Sequence, residues 1–298
     1  MLGDRRSAAF DTPAPPPHWR TSRGALTLDR PRILGILNLT PDSFWDGGRH
    51  ARLAGAVAHV EQMIEDGADV IDVGGESTRP GAESVSAEEE IARVVPLIES
   101  VARRWPDLPV SIDTVKLATA RAALDAGAAA INDVSGLRLA PELASLAAAR
   151  GAGLVLMHSR GDVATMARYE LAEYGADPVG DMVEELRRAR DQARAAGVAH
   201  DALALDPGLG FSKRTEHSAA ALRELGRFTA LGQPVLVGPS RKRFLGELAG
   251  GLDATDRLEP TLAACVVALA NGARLFRVHD VREVRRALDT AYGIWRPA

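Results

Sequence analysis

Short apolar runs recur along the chain, and a polar residue closes nearly every one of them. Asn38 ends ILGILN, Asp72 ends ADVID, Asp113 ends PVSID, and Asn132 and Asp133 end AAIND. His158 ends GLVLMH, Asp206 ends ALALD, and Arg277 and His279 close LFRVH. Runs of this length read as strands, and Ala/Leu/Arg segments of helical pattern follow most of them. The expected strands are 32–38, 69–73, 109–113, AAIND, GLVLMH, 202–206, 234–238 and 274–278. Helices are expected from about Leu53 to Asp66, up to Arg104, from Pro141 to Arg150 and from Val179 to Ala196. Eight such units are the count that closes a barrel. The fold class is therefore α/β, a single (β/α)8 barrel over 19–298, with its pocket at the carboxyl edge of the strands. WRTSRGALTL (19–28) predicts a short hairpin that plugs the barrel floor, and the Pro-rich residues 1–18 predict a disordered tail.

Composition narrows the partners. The 298 residues are 46% hydrophobic with a formal net charge of −4, so no basic field for nucleic acid is expected. No apolar stretch is long enough to span a bilayer, and the N-terminus lacks the apolar core of a signal peptide, so a cytoplasmic location is expected. Cys265 is the sole cysteine, which leaves no disulfide framework. Of 36 basic residues only Lys116, Lys213 and Lys242 are lysine, and all three follow strand signals. Where a chain otherwise writes arginine, such exceptions suggest a chemical reason, although Lys116 also reads as a solvated residue in a helix's first turn.

Several constellations carry chemistry. NLTPDSFWDGG and GGESTRPGA are shaped Pro/Gly loops, the second holding Thr78 and Arg79 in a layout suited to an anion. Asp113, Asn132 and Asp206 face one mouth, where carboxylates and an amide suit a heterocycle with a guanidine-like edge. Each Asp also reads as a helix cap when taken alone. DPGLGF sets Gly210 beside Phe211, an aromatic wall. Lys242 follows the seventh strand signal, and Arg277 and His279 stand at the eighth, where barrels often hold phosphate in the adjoining loops. His158 reads equally well as a buried structural histidine. No HExxH or clustered cysteine suggests a resident transition metal; any ion is expected to be Mg²⁺ carried in with a phosphate and touched by Asn38.

GILNLTPDSFWDGG, DVGGESTRPGA, SIDT, INDVSG, LMH, DPGLGF, SRK and RVHDV follow one another over about 32–290. In that order they resemble the dihydropteroate synthase family. The resemblance implies a transferase that joins 4-aminobenzoate to 6-hydroxymethyl-7,8-dihydropterin diphosphate in folate synthesis. It implies that Asp113, Asn132, Asp206 and Lys242 bind the pterin, with Met157, Gly210 and Phe211 lining its slot. It further implies Thr78, Arg277 and His279 on the diphosphate, Asn38 on Mg²⁺, and Asp42 and Asp72 stabilising cationic charge at the pterin methylene. Phe44, Arg79 and Pro80 are implied at the aminobenzoate site, and a homodimer through the late helices is implied as well.

Three positions depart from the family pattern: Arg243 where Ser is common, Pro260 where Gly is common, and MHSRG for MHMxG. Arg243 is expected either at the aminobenzoate carboxylate or out in solvent. Two other functions use related barrels. A pterin-binding methyltransferase module is not expected to carry the TPDSF and STRPG loops, and a non-catalytic pterin-binding paralogue is expected to have lost Lys242, Arg277 or the first-loop Asp.

Overall fold

The computed structural model describes residues 16–39, 49–76 and 85–295, with the backbone alone for 49–52. The expected tail lies outside these residues over 1–15. Its last part is corrected, because His18 already begins a strand and the Pro17 carbonyl accepts from the Leu28 N–H at 2.9 Å.

In chain order the elements are β1 (His18–Thr21), β2 (Gly24–Thr27), β3 (Arg32–Asn38), α1 (Arg49–Glu65), β4 (Val70–Gly74) and α2 (Ala87–Arg104). Then come β5 (Val110–Asp113), α3 (Leu117–Asp125), β6 (Ala130–Asp133), α4 (Glu142–Arg150), β7 (Gly153–Met157) and α5 (Pro178–Ala195). The chain continues through β8 (Leu203–Asp206), α6 (Thr215–Arg223), α7 (Gly226–Thr229), β9 (Leu236–Val237), α8 (Arg243–Leu248), α9 (Leu258–Ala270), β10 (Leu275–Val278) and α10 (Val281–Trp295). β3 to β10 form one parallel sheet in the order β8-β7-β6-β5-β4-β3-β10-β9, and a Leu205–Val235 bridge joins its two edges. That is the expected (β/α)8 barrel. β9 keeps two of its five expected residues, because Pro234 has no N–H to give a ladder and Gly238–Pro239 ends the strand.

The inner face explains where the pocket lies. Leu34, Val70, Ala130, Val155, Ala204, Leu236 and Leu275 form one apolar layer against Trp19 and Leu28. Strand side chains alternate, so the residue two further on faces inward again. That step lands on Ile36, Asp72, Asn132, Met157, Asp206, Gly238 and Arg277. A dry layer therefore lies beneath a polar one, and the polar layer lies nearer the carboxyl ends.

The β1–β2 hairpin closes the floor as expected. Trp19 is 0% exposed and its indole N–H donates to the Ala202 carbonyl at 3.0 Å. Gly153 is required opposite it, since a Cβ there would stand 2.9 Å from the indole. Trp19→Ala is expected to cost about 3–5 kcal/mol, the range for emptying a buried aromatic site. Urea unfolding reads this directly, and a loss below about 1 kcal/mol would show that the floor does not depend on the indole.

Candidate functional site

Seven of the expected site residues meet in one pocket at the carboxyl ends of the strands. Asp113, Asn132, Met157, Asp206, Phe211, Lys242 and Arg277 line it, together with Gly208 and Gly238. β5 and β6 bring Asp113 opposite Asn132, and β7 and β8 bring Met157 opposite Asp206. Phe211 comes from the loop after β8, and Lys242 stands at the N-cap of α8 with its ammonium 3.6 Å from the Phe211 ring centroid.

Arg277 binds the carboxylates together. Its Nε donates to Asp72 and its Nη2 to Asp113, each at 2.6 Å. Asp72 is 0% exposed and also accepts from the Ser111 hydroxyl at 2.5 Å and the Asn132 amide at 3.2 Å. Asp72 thus lies under the residues that line the pocket and is not itself among them. Its oxygens are engaged beneath the pocket, where it orients Arg277 and Asn132. Ser111 was missed by the sequence reading, although its inward parity with Asp113 was a usable signal.

Burial and charge set the protonation of the pocket. Burial raises the Asp113 carboxyl to about 7 against the pull of Arg277, with Asp72 and Glu90 adding repulsion. Burial lifts Asp206 to about 6, opposed by the Gly208 N–H at 2.7 Å and by Lys242. The Lys242 ammonium is drawn down to about 7 by burial and by Arg277, with Asp206 and Asp113 opposing. For Arg277 burial acts against the charge, but Asp72 and Asp113 outweigh it and hold the guanidinium more firmly protonated.

The other expected residues are placed as follows. Gly210 adopts φ +75° behind Lys242, where a Cβ would stand 3.2 Å from the lysine side chain. His279 is exposed, and its Nδ1 lies 3.0 Å from the Ser240 hydroxyl. That hydroxyl already accepts the His279 backbone N–H, so its own proton is available for Nδ1. Asn38 is half-buried at the end of β3, and the missing side chain of Gly74 leaves space beside its carboxamide. Asp42, Phe44, Thr78, Arg79 and Pro80 lie outside the described residues. Arg243 is not brought to the pocket lining. Its guanidinium lies 3.6 Å from the Tyr169 ring centroid and 3.5 Å from Glu247, and its side chain is 53% exposed. Lys116 is no solvated residue, because it bonds Glu76 at 2.9 Å and Glu90 at 3.0 Å.

A pocket of carboxylates, an amide and an ammonium between Met157 and an aromatic ring has the chemistry of a heterocycle site. The sequence matches the pterin binding enzyme family over residues 34–279. A dihydropteroate synthase from Synechocystis sp. is 44% identical over 267 residues, covering 90% of this chain and 91% of its own. The chain belongs to the dihydropteroate synthase family. The Xanthomonas albilineans dihydropteroate synthase with 4-aminobenzoic acid gives a TM-score of 0.84 at 43% identity, over 92% of this chain and 96% of its own. The same enzyme in complex with 7,8-dihydropteroate gives 0.81 at 40% identity, over 92% and 97%.

Asp206 supplies a test of the pocket's electrostatics. Its folded pKa of about 6 lies above the ordinary 3.8, so the fold prefers the protonated form. Stability is therefore lost as pH rises from about 4 to 6, by up to about 3 kcal/mol. Asp206→Asn keeps an acceptor for the Gly208 N–H and removes the titration. Urea unfolding at pH 4.5 and 7 is expected to show the variant gaining on wild type at the higher pH. A stability difference that does not change with pH would contradict the burial argument.

Proposed function

We propose that this barrel mouth condenses 4-aminobenzoate with 6-hydroxymethyl-7,8-dihydropterin diphosphate, releasing diphosphate and 7,8-dihydropteroate for folate synthesis. The convergence of Asp113, Asn132, Asp206 and Lys242 on one slot carries the reading. The pterin's amino and ring N–H groups donate to the carboxylates, and its ring acceptors take donors from Asn132 and Lys242. Met157 and Phe211 form apolar walls for a flat ring. Arg277 and His279 face the diphosphate, joined by Thr78.

The chemistry follows from this arrangement. The methylene C–O bond breaks with its electron pair leaving on diphosphate, and the pterin methylene becomes cationic. Asp72 and Asp113 beneath it, with Asp42 on the first loop, provide negative charge where that cation develops. The neutral arylamine nitrogen forms the new C–N bond and gives up a proton to solvent or phosphate. Phe44, Arg79 and Pro80 shape the aminobenzoate side. Arg243, held over Tyr169, is left out of that role.

A magnesium ion fits this site as a passenger. Among the described residues no group of three or more His, Cys, Asp or Glu could hold a metal ion. Asn38 offers a single hard oxygen at the carboxyl end of β3, which suits an ion whose other ligands are phosphate and water. When bound, it neutralises charge on the leaving diphosphate.

The assembly we propose is a homodimer. Leu222, Leu245, Leu248, Ala263 and Val267 line an apolar cleft between α6, α8 and α9, where Leu248 is 59% and Val267 45% exposed. An apolar patch of this kind on a globular surface marks an interaction site, and a second copy of the chain docked through these late helices would cover it. No helix among the described residues is long and apolar enough to cross a membrane. The lone buried thiol of Cys265 agrees with a reducing cytoplasm as the place of work.

Purified protein with Mg²⁺, the pterin diphosphate and aminobenzoate is expected to yield dihydropteroate. His279→Ala is expected to weaken the pterin diphosphate by about 1.5–3 kcal/mol while leaving the pterin alcohol nearly unchanged, as for one lost charge-assisted contact. Calorimetry showing equal losses for both ligands would remove His279 from the diphosphate, and absence of product would refute the reaction.

A further inference from the structure

Lys213 is 0% exposed and takes no part in the chemistry above. Its ammonium lies 2.8 Å from His158 Nδ1, 3.0 Å from the Phe211 carbonyl and 3.3 Å from the His158 carbonyl. Three acceptors match the three N–H donors of an ammonium. The arrangement fixes the histidine tautomer as well. Burial and the Lys213 charge push His158 down to about 4, so its ring is neutral. Nδ1 then accepts from Lys213, and Nε2 carries the proton toward Glu185 at 3.1 Å.

A buried ammonium bonded to two carbonyls and a neutral imidazole is an expensive way to hold a loop. Burial draws it down to about 7, with Asp206 and Glu185 opposing. What it touches is the back of the pterin slot, since the Phe211 carbonyl belongs to the residue whose ring forms the slot wall. Lys242 stands on the other side of that residue, over its ring. Gly208 brings the backbone of this loop so close to the His158 carbonyl that a Cβ would lie only 2.0 Å from it. Loop, histidine and lysine are therefore interlocked.

We propose that Lys213 is a positioning residue for the pterin slot, fixing Phe211 and through it Lys242 without touching substrate. The inference rests on the slot between Met157 and Phe211 being the pterin site. It also accounts for a lysine at 213 in a chain that otherwise writes arginine, because a compact ammonium reaches three converging acceptors that a planar guanidinium does not fit.

The test is Lys213→Met, assayed for KM of both substrates and for calorimetric binding of the pterin alcohol. KM for the pterin diphosphate is expected to rise about tenfold, with KM for aminobenzoate changed less than about twofold. Phe211→Leu supplies the second arm. If Lys213 acts through Phe211, adding Lys213→Met to Phe211→Leu changes the pterin KM little further. His158→Asn keeps an acceptor at the Nδ1 position for Lys213 and is expected to stay near wild type, whereas His158→Leu copies Lys213→Met; this pair decides the matter if Lys213→Met does not fold. Equal rises in both KM values, or full additivity with Phe211→Leu, would overturn the proposal. A wild-type protein that binds no pterin alcohol would overturn the slot assignment itself, whereas wild-type binding matched by every variant would overturn the role of Lys213 alone.

Discussion

The guanidinium of Arg277 holds two carboxylates that the barrel would otherwise enclose without compensation. Asp72 is fully buried and Asp113 half-buried, and both sit on the inward face just above a dry apolar layer. Enclosing one such charge unpaired costs several kcal/mol, while a geometrically matched partner with further hydrogen bonds offsets the cost. Arg277 reaches across from β10 with two nitrogens at 2.6 Å, and Ser111 and Asn132 supply the remaining donors. The positions of Asn132, Asp113 and Arg277 are thus mutually determined. These are also the groups to which the proposed reaction assigns the pterin and its diphosphate.

The same constraint shapes the function. A slot lined by buried acids and one ammonium places hydrogen-bonding groups without the reorganisation that water would require. The field of Asp72 and Asp113 favours a cation above them, which suits a reaction in which diphosphate departs before the arylamine attacks. The pocket therefore does most of its work through positions and charges set by the fold. Lys213 and His158 extend this logic behind the aromatic wall, where a second buried charge orders the loop after β8.

Much of this was legible in the chain. Polar residues at strand ends located the mouth, and the run WRTSRGALTL located the floor, because both follow from strand periodicity. Asp72 was harder. A polar residue ending an apolar run looks the same whether it faces ligand or a buried partner, and only the spatial approach of Arg277 over 205 residues of chain separates the two. The placement of Arg243 on Tyr169 depends on the long connection after β7, which has no periodicity to read. The shortness of β9 is legible in Pro234, which has no N–H for the ladder. Lys213 carried a compositional signal in its rarity, but the three acceptors that explain it come from two separate loops.

The direct test of this account is a double-mutant cycle on the buried ion pair, with unfolding free energy as the readout. Arg277→Met alone is expected to cost about 3–5 kcal/mol, because it strands a buried carboxylate. Combining it with Asp72→Asn is expected to recover part of that loss, giving a coupling energy of about 2 kcal/mol or more. Additive effects within about 0.5 kcal/mol would contradict the account, since the two groups would then not depend on each other.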